Sequence, residues 1–508
     1  MSASQEVERW DIFQLDLTGP SDGNPYTDVT LKAEFSDGDQ AVTARGFYDG
    51  DGQYAVRCMP DTPGEWTYRT ESSEPALDGI EGSFVCTEAS DGNRGPVRVA
   101  DTHHFEHADG TRHSSFGTTC YAWTHQDPAV QERTLETLAE APFNKLRMCV
   151  FPKWFTYNRR EPVRHPFEGG ASGDPDFDRP DPEFFQHLED QVAQLRDLGI
   201  QADVILFHPY DKWGYSDMGD EADDRYLEYV IARPPYRNVW WSLANEWDRF
   251  DDKDESDFDH YFQVVQEEDP YDHLRSVHHL SEWYDFEKPW VTHCSIQERE
   301  HQDMAQWVDE YEKPVVNEEC GYEGDIEKSF GSISGHYMMN QFWLGVTGGG
   351  YVGHGETYRH PEDILWWSHG GDLHGSSPDR IKFLRDLVEE APGPLEPISM
   401  KTDRPPWGAH ANEDYYLFYF RFYQPSLWSF DLPDDGEFEL EVVDPWEMTI
   451  RPLGGRTRAG TRSNFPATTT WPSERDAPSD PSNWMTDMRS SKPTARSIPP
   501  ALVFARGT

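Results

Sequence analysis

The chain has 508 residues, 36% hydrophobic and 14% aromatic, which supplies packed cores for about three domains and excludes a disordered polymer. A formal net charge of -50 excludes nucleic acid and anionic membranes as partners. It suits a solvated acidic shell in a salt-rich, halophilic cytoplasm, where screening shrinks to a few ångströms.

The start, Met1 to Trp10, shows no basic region followed by an apolar run, and no stretch of about 18 apolar residues occurs. A soluble, cytoplasmic protein is expected. Cys58, Cys86, Cys120, Cys149, Cys294 and Cys320 form no Cys-x-x-Cys pair or zinc-type spacing, so free thiols are expected, with Cys58–Cys86 the one disulfide left open.

Residues 5–92 read as a β-sandwich. Phe13–Leu17 and Val29–Phe35 alternate apolar and polar residues. Asp49-Gly50-Asp51-Gly52 is a hairpin turn between Phe47-Tyr48 and Gln53–Val56 rather than a calcium loop, because no full ligand set follows. From residue 97 to 395, strand-like runs alternate with helical periodicity, as in a (β/α)8 TIM barrel. The predicted strands are Ser115–Cys120, Lys145–Val150, Gln201–Phe207, Asn238–Ala244, Ser276–Leu280, Trp290–Ile296, Pro314–Glu319 and Gly348–Val352. The short gap between the fifth and sixth predicts a rudimentary helix there. Pro182–Leu198 and Pro378–Ala391 are predicted helices. Residues 400–455 return to strand character and predict a small β domain. Residues 456–508 hold 8 Lys/Arg against 4 Asp/Glu, with much Pro, Ser and Thr. They read as an atypical tail, either disordered or the product of a shifted reading frame.

Hydrolysis of a glycosidic bond needs two carboxyl groups, one to protonate the leaving oxygen and one to attack the sugar or activate water. On a barrel both belong at the C-terminal ends of strands. Asn238–Glu246 is an apolar strand ending in Asn245-Glu246, and Lys313–Gly321 is a second one ending in Glu318-Glu319. Glu246 and Glu319 are 73 positions apart, room for the two intervening strands. Asn-Glu alone means little, since it also occurs at 317–318 and 412–413; position and spacing carry the reading. Aromatic and polar residues crowd the other strand ends as candidate sugar contacts: Tyr121, Trp123, His125, Trp154, His208, Tyr210, Asp211, Trp213, His293, Gln297, Tyr322, Glu323, His354 and Glu356. His208, His293 and His354 could bind a metal. Sugar contact is the preferred reading, with no cofactor and no metal expected, because the carboxyl pair already accounts for the chemistry.

These motifs resemble clan A of the glycoside hydrolases, and the layout over residues 5–455 resembles the apiosidase-like glycosidases, with an immunoglobulin-like N-terminal domain and a small C-terminal β domain. The resemblance implies an acid/base at Glu246 beside Asn245. It implies a nucleophile at Glu319 in Lys313-Pro314…Glu319-Cys320-Gly321, a supporting Arg147 on the second strand, and retention of configuration. The Glu-x-Gly register favours Glu319 over Glu318. Glu319 would be ionised with the help of Arg147. Glu246 would be held protonated by the Glu319 charge and by an apolar wall such as Trp247. The expected activity is exo-cleavage of short oligosaccharides or small glycosides. The alternatives are an endo-β-glycanase, a catalytically silent carbohydrate-binding barrel, and, last, a metal-dependent hydrolase.

Overall fold

The computed structural model describes residues 5–233, 236–362, 364–399, 404–423, 425–430, 432–433, 436–457, 462–464 and 502–507. Seven strands between Gln5 and Thr87 form a sheet in the order Gln5–Glu8, Glu81–Thr87, Gly64–Ser72, Leu31–Ser36, Ala41–Gly50, Gln53–Cys58, Phe13–Thr18. Ala41–Gly50 is long enough to pair with Leu31–Ser36 through one half and with Gln53–Cys58 through the other. The sheet folds over on itself there. Phe13 and Phe84, from opposite ends of the strand order, stack at 3.9 Å in the core, as two facing layers of a sandwich require. The Asp51-Gly52 turn has both residues at positive φ, the geometry of a tight hairpin. The Asp49 carboxylate is held by Arg233 at 2.7 Å, so this acidic turn is a docking contact. All six cysteines are free and buried, and Cys58–Cys86 is not formed.

The barrel strands are β1 (Phe116–Thr119), β2 (Lys145–Cys149), β3 (Gln201–Phe207), β4 (Val239–Ala244), β5 (Arg275–Ser276), β6 (Cys294–Ile296), β7 (Val315–Asn317) and β8 (Tyr351–His354). They are parallel, in the order 5-4-3-2-1-8-7-6, and a bridge from His278 to Ser295 closes the ring. Helices follow every strand except β5, beyond which no helix occurs among the described residues before β6. Several helices begin at a proline whose fixed φ suits the first turn. Asp127-Pro128, Asp181-Pro182 and Ser377-Pro378 mark such starts. The hairpin Val97–Ala100 with His104–His107 plugs the N-terminal mouth, where Phe105 packs on Trp240 at 4.9 Å and Tyr351 at 5.2 Å.

Inside the barrel, the Lys145 ammonium donates to Glu318 at 2.5 Å and to Asp203 at 2.8 Å, with all three side chains buried. Lys145→Met leaves two carboxyl groups buried without their cation. It is expected to cost about 3–5 kcal/mol, read as a lower unfolding midpoint in chemical denaturation.

The sandwich packs on the helices that follow β2, β3 and β4. Arg57 and Arg233 share Glu189, and Arg45 grips Glu268 with two bonds of 2.6 Å. Asn24 bonds the Asp178 carbonyl and Arg179 the Gly23 carbonyl, so the sandwich also braces the long loop after β2.

The C-terminal sheet has the order Glu396–Pro397, Trp407–Ala411, Tyr415–Tyr419, Leu502–Gly507, Phe438–Asp444, Thr449–Thr457. The tail read as atypical thus supplies an inner strand, Leu502–Gly507, which pairs with Tyr415–Tyr419 on one side and Phe438–Asp444 on the other. Residues 465–501 lie outside the described residues. No helix among the described residues is long and apolar enough to cross a membrane.

Candidate active site

Glu246 follows β4 directly. The chain turns there into the short helix Trp247–Arg249, and Glu246 takes the left-handed conformation, φ 57° and ψ 58°. That conformation costs a non-glycine residue about 1–2 kcal/mol, and such strain gathers at functional positions. The residue is 7% exposed, and its carboxyl accepts a hydrogen bond from the Tyr210 hydroxyl. Burial raises its pKa; the Lys153 charge, the Tyr210 bond and Arg147 oppose this, and Asp248 adds to it.

Glu319 follows β7 after Asn317 and Glu318. It is 8% exposed, and its Oε1 has no hydrogen-bond partner. Burial pushes its pKa up to about 7 against the opposing influence of the Tyr322 hydroxyl. No ion pair to Glu246 or Glu319 occurs among the described residues.

The raised pKa of Glu319 makes a stability prediction. A folded-state value of about 7 against an ordinary 4.5 means that the folded chain holds the proton more tightly than the unfolded one. The folded state is therefore penalised as pH rises from 4.5 to 7, and the penalty is constant above that. Glu319→Gln removes the charge and is expected to stabilise the protein at pH 8 by up to about 3 kcal/mol, with the gain shrinking toward pH 5.5. Thermal melts at the two pH values read this; a difference that does not change with pH contradicts it.

Asn245 is buried between Tyr121 and Arg147. Its Oδ1 accepts from the Tyr121 hydroxyl at 2.8 Å and from Arg147 Nη2 at 3.1 Å, while its Nδ2 is without a partner. Arg147 is thus turned to Asn245 rather than to Glu319, and its Nε and Nη1 are unpartnered. The support expected of Arg147 for Glu319 takes no ion-paired form here, and the Glu319 carboxyl is left with a high proton affinity. Tyr322 is the side chain that sees both carboxyls: Glu319 and Glu246 each raise its pKa beyond the effect of burial.

The structure brings Tyr121, Arg147, Asn245, Glu246, Glu319 and Tyr322 together at the C-terminal end of the barrel. Trp154 and Trp213 stand farther out in the loops after β2 and β3, edge to face at 6.0 Å, with the Lys212 ammonium 3.5 Å above Trp154. Gln297, beyond β6, is half-buried with an unpartnered Oε1.

Other predicted contacts serve the scaffold. Trp123 is fully buried in the main core. His125 stacks on Phe184 at 5.6 Å, and burial lowers its pKa to about 3. His208 is bonded through both ring nitrogens to backbone, at Phe151 O and Tyr210 N, and so shapes its loop. Trp247 packs outward on Phe258 and Tyr284. His293 precedes β6 and lies at the opposite mouth, against Phe105 and Trp240. His354 stacks on Phe143 at 4.8 Å and bonds Thr118 through Nδ1.

Glu356 accepts backbone N–H groups of His374 and Gly375. Glu323 accepts from Ser376, Ser377 and Tyr358. Together with His354 they form the one group of three potential metal ligands among the described residues, with ligand atoms within 4.8 Å of one another. Their oxygens already face N–H and O–H donors, where a cation needs free lone pairs, so the pair is a clamp on the 374–377 loop.

Three further residues reach the site without having been singled out. His278, after β5, is buried with both ring nitrogens unpartnered, and burial and the nearby Arg147 lower its pKa. Lys153 sits over the Tyr121 ring at 3.4 Å. Trp367 lies in the short helix Trp366–His369 beyond β8, and its carbonyl accepts from Tyr121 N at 3.0 Å. His278 fell within a predicted strand, where alternation could have flagged it; Lys153 stands in a loop and Trp367 in a single helical turn, Trp366–His369, both too short for a periodic signal.

Comparison with known proteins fits this architecture. Residues 100–392 match the model of the apiosidase-like catalytic domain. Residues 6–73 and 404–469 match two domains of unknown function, DUF5060 and DUF5605. No curated protein matches the chain. A crystal structure from Bacteroides vulgatus, described as a proposed glycoside hydrolase, is 37% identical; the match covers 99% of this chain and 100% of that one, with a TM-score of 0.88. A family 5 glycoside hydrolase from the same organism is 14% identical over 81% of this chain and 94% of that one, with a TM-score of 0.59, and shares the fold. The barrel with its flanking sheets defines a glycosidase. Within that class the chain belongs to the apiosidase-like family.

Proposed function

We propose that this enzyme is a retaining, exo-acting glycosidase for short oligosaccharides or small glycosides, with Glu319 as nucleophile and Glu246 as acid/base. The observation that carries the assignment is the division of labour between adjacent glutamates. Glu318 is held by Lys145 inside the barrel, whereas Glu319 keeps a buried oxygen free. Adjacent residues point apart, so only one of them faces the substrate.

In the first step the ionised Glu319 attacks the anomeric carbon as the protonated Glu246 gives its proton to the leaving oxygen. In the second, Glu246 takes a proton from water, which displaces Glu319 from the sugar. Tyr322, whose buried hydroxyl has no hydrogen-bond partner, is the group placed to orient the Glu319 carboxylate. The free Nδ2 of Asn245 is a buried donor that a sugar hydroxyl would satisfy. Support for exo action comes from the sandwich, whose bonds from Gly23 and Asn24 brace the loop after β2 as a wall beside the cleft.

The test follows the anomeric configuration of the first product by NMR on a panel of aryl glycosides, with product lengths from oligosaccharides measured alongside. A retained configuration and monosaccharide release are expected. An inverted first product overturns the nucleophile assignment, and mid-length products overturn exo action.

A further inference from the structure

Lys153 lies just beyond β2 and is 3% exposed. In a chain with 94 acidic and 44 basic residues, a buried lysine beside an active site would be expected to have a carboxylate partner. Among the described residues its ammonium has neither an ion pair nor a hydrogen-bond acceptor. It is enclosed by rings instead: Tyr121 at 3.4 Å, Tyr210 at 4.9 Å and Trp367 at 5.7 Å. A cation over aromatic faces is attracted by the ring quadrupoles, and more so away from water. Two of these rings end in the hydroxyls that hold the Asn-Glu pair. Tyr121 donates to Asn245 and Tyr210 donates to Glu246.

We propose that Lys153 is a positioning residue for Glu246: it fixes Tyr121 and Tyr210 and so both members of the Asn245–Glu246 pair, and its charge sets how tightly Glu246 holds its proton. This rests on the reading of Glu246 as acid/base. The two groups act on each other. Burial raises Glu246, and Lys153 is the largest influence against it. Burial brings Lys153 down to about 8, opposed by Cys149 and Glu246 and assisted by Arg147. The other titratable and charged groups around this pair are Asp248 beside Glu246, Arg249 beside Tyr210, Tyr322 from beyond β7, and the buried His208 and His278, on both of which the Lys153 charge acts. A neutral residue at 153 would leave burial and Asp248 less opposed, and Glu246 would keep its proton to higher pH. A merely structural lysine would affect all substrates alike.

The experiment compares the full-length enzyme with Lys153→Met, which keeps an apolar, polarisable filling between the rings, and Lys153→Arg, which keeps the charge. The pH profile of kcat/KM is measured on a phenyl glycoside, whose leaving group needs a proton, and on a dinitrophenyl glycoside, whose leaving group does not. Lys153→Met is expected to move the alkaline limb up by about 0.5–1 unit. It should lose about 10–100-fold on the phenyl glycoside and far less on the dinitrophenyl one. Lys153→Arg should keep the wild-type limb. Equal losses on both substrates, or a limb unmoved in Lys153→Met, overturn the proposal. Failure of azide to restore Glu246→Ala would overturn the acid/base reading itself, so the two failures are told apart.

Discussion

Glu319→Ala is expected to lower kcat/KM on every glycoside the enzyme cleaves by about 10⁴-fold or more, with the fold intact. A nucleophile has no substitute in a retaining displacement, because the covalent intermediate cannot form without it. A 2-fluoro glycoside with an activated leaving group should trap that intermediate in the native enzyme. The added mass should map to the peptide carrying Glu319. Azide added to Glu319→Ala should yield a glycosyl azide of inverted configuration, since the small anion enters the space of the missing carboxylate. Glu318→Gln should behave otherwise. Its carboxyl belongs with Lys145 and Asp203, so its loss should appear in stability before activity. A label mapped to Glu318 would exchange the two roles.

The parts of this molecule that were legible in the amino-acid sequence are those whose burial is continuous. β3 is buried at all seven positions and β4 at all six, so an apolar run ending in Asn245-Glu246 could be read as a strand delivering a carboxyl. The β6 and β8 boundaries show why some predicted contacts fell elsewhere. The apolar run from Trp290 predicts a strand, but Thr292 takes up the backbone of Arg275 through its hydroxyl as well as its amide. β6 starts only at Cys294, and His293 is left at the far mouth. Gly348 to Gly350 likewise form the exit turn of the preceding helix, with Gly349 at φ 81°, so β8 begins at Tyr351. His354 becomes its last rung, against Phe143 and Thr118, rather than a residue of the rim. Lys153 and Trp367 were beyond reach because they lie in a loop and a single helical turn that only the closed barrel brings together. The orientation of Arg147 depends on whether Asn245 or Glu319 offers the better acceptor, and strand position does not decide that.

Glu246→Ala should separate the two half-reactions. Cleavage of a phenyl glycoside is expected to fall by about 10²–10⁴-fold, because the leaving phenolate then departs without a proton. A dinitrophenyl glycoside needs no such help, so its first step should survive. Hydrolysis of the glycosyl-enzyme then becomes slow, since water has lost its base. The variant should show a burst of phenolate, a low KM and a small steady-state kcat. Azide, which needs no base, should restore turnover and give a product of retained configuration, opposite to that from Glu319→Ala. The pH profile should simplify as well. In the native enzyme kcat/KM should rise as Glu319 ionises near 7 and fall as Glu246, which burial holds above the ordinary carboxyl range, loses its proton. In Glu246→Ala, on the dinitrophenyl glycoside, only the rise should remain. The backbone supplies an internal control. Glu246 sits at φ 57°, which alanine tolerates no better than glutamate, whereas Glu246→Gly relieves the strain by about 1 kcal/mol. The glycine variant should therefore melt above the alanine variant while sharing its kinetics. If both variants cleave the phenyl glycoside at the native rate, the proton comes from another group, and the role assigned to the end of β4 is lost.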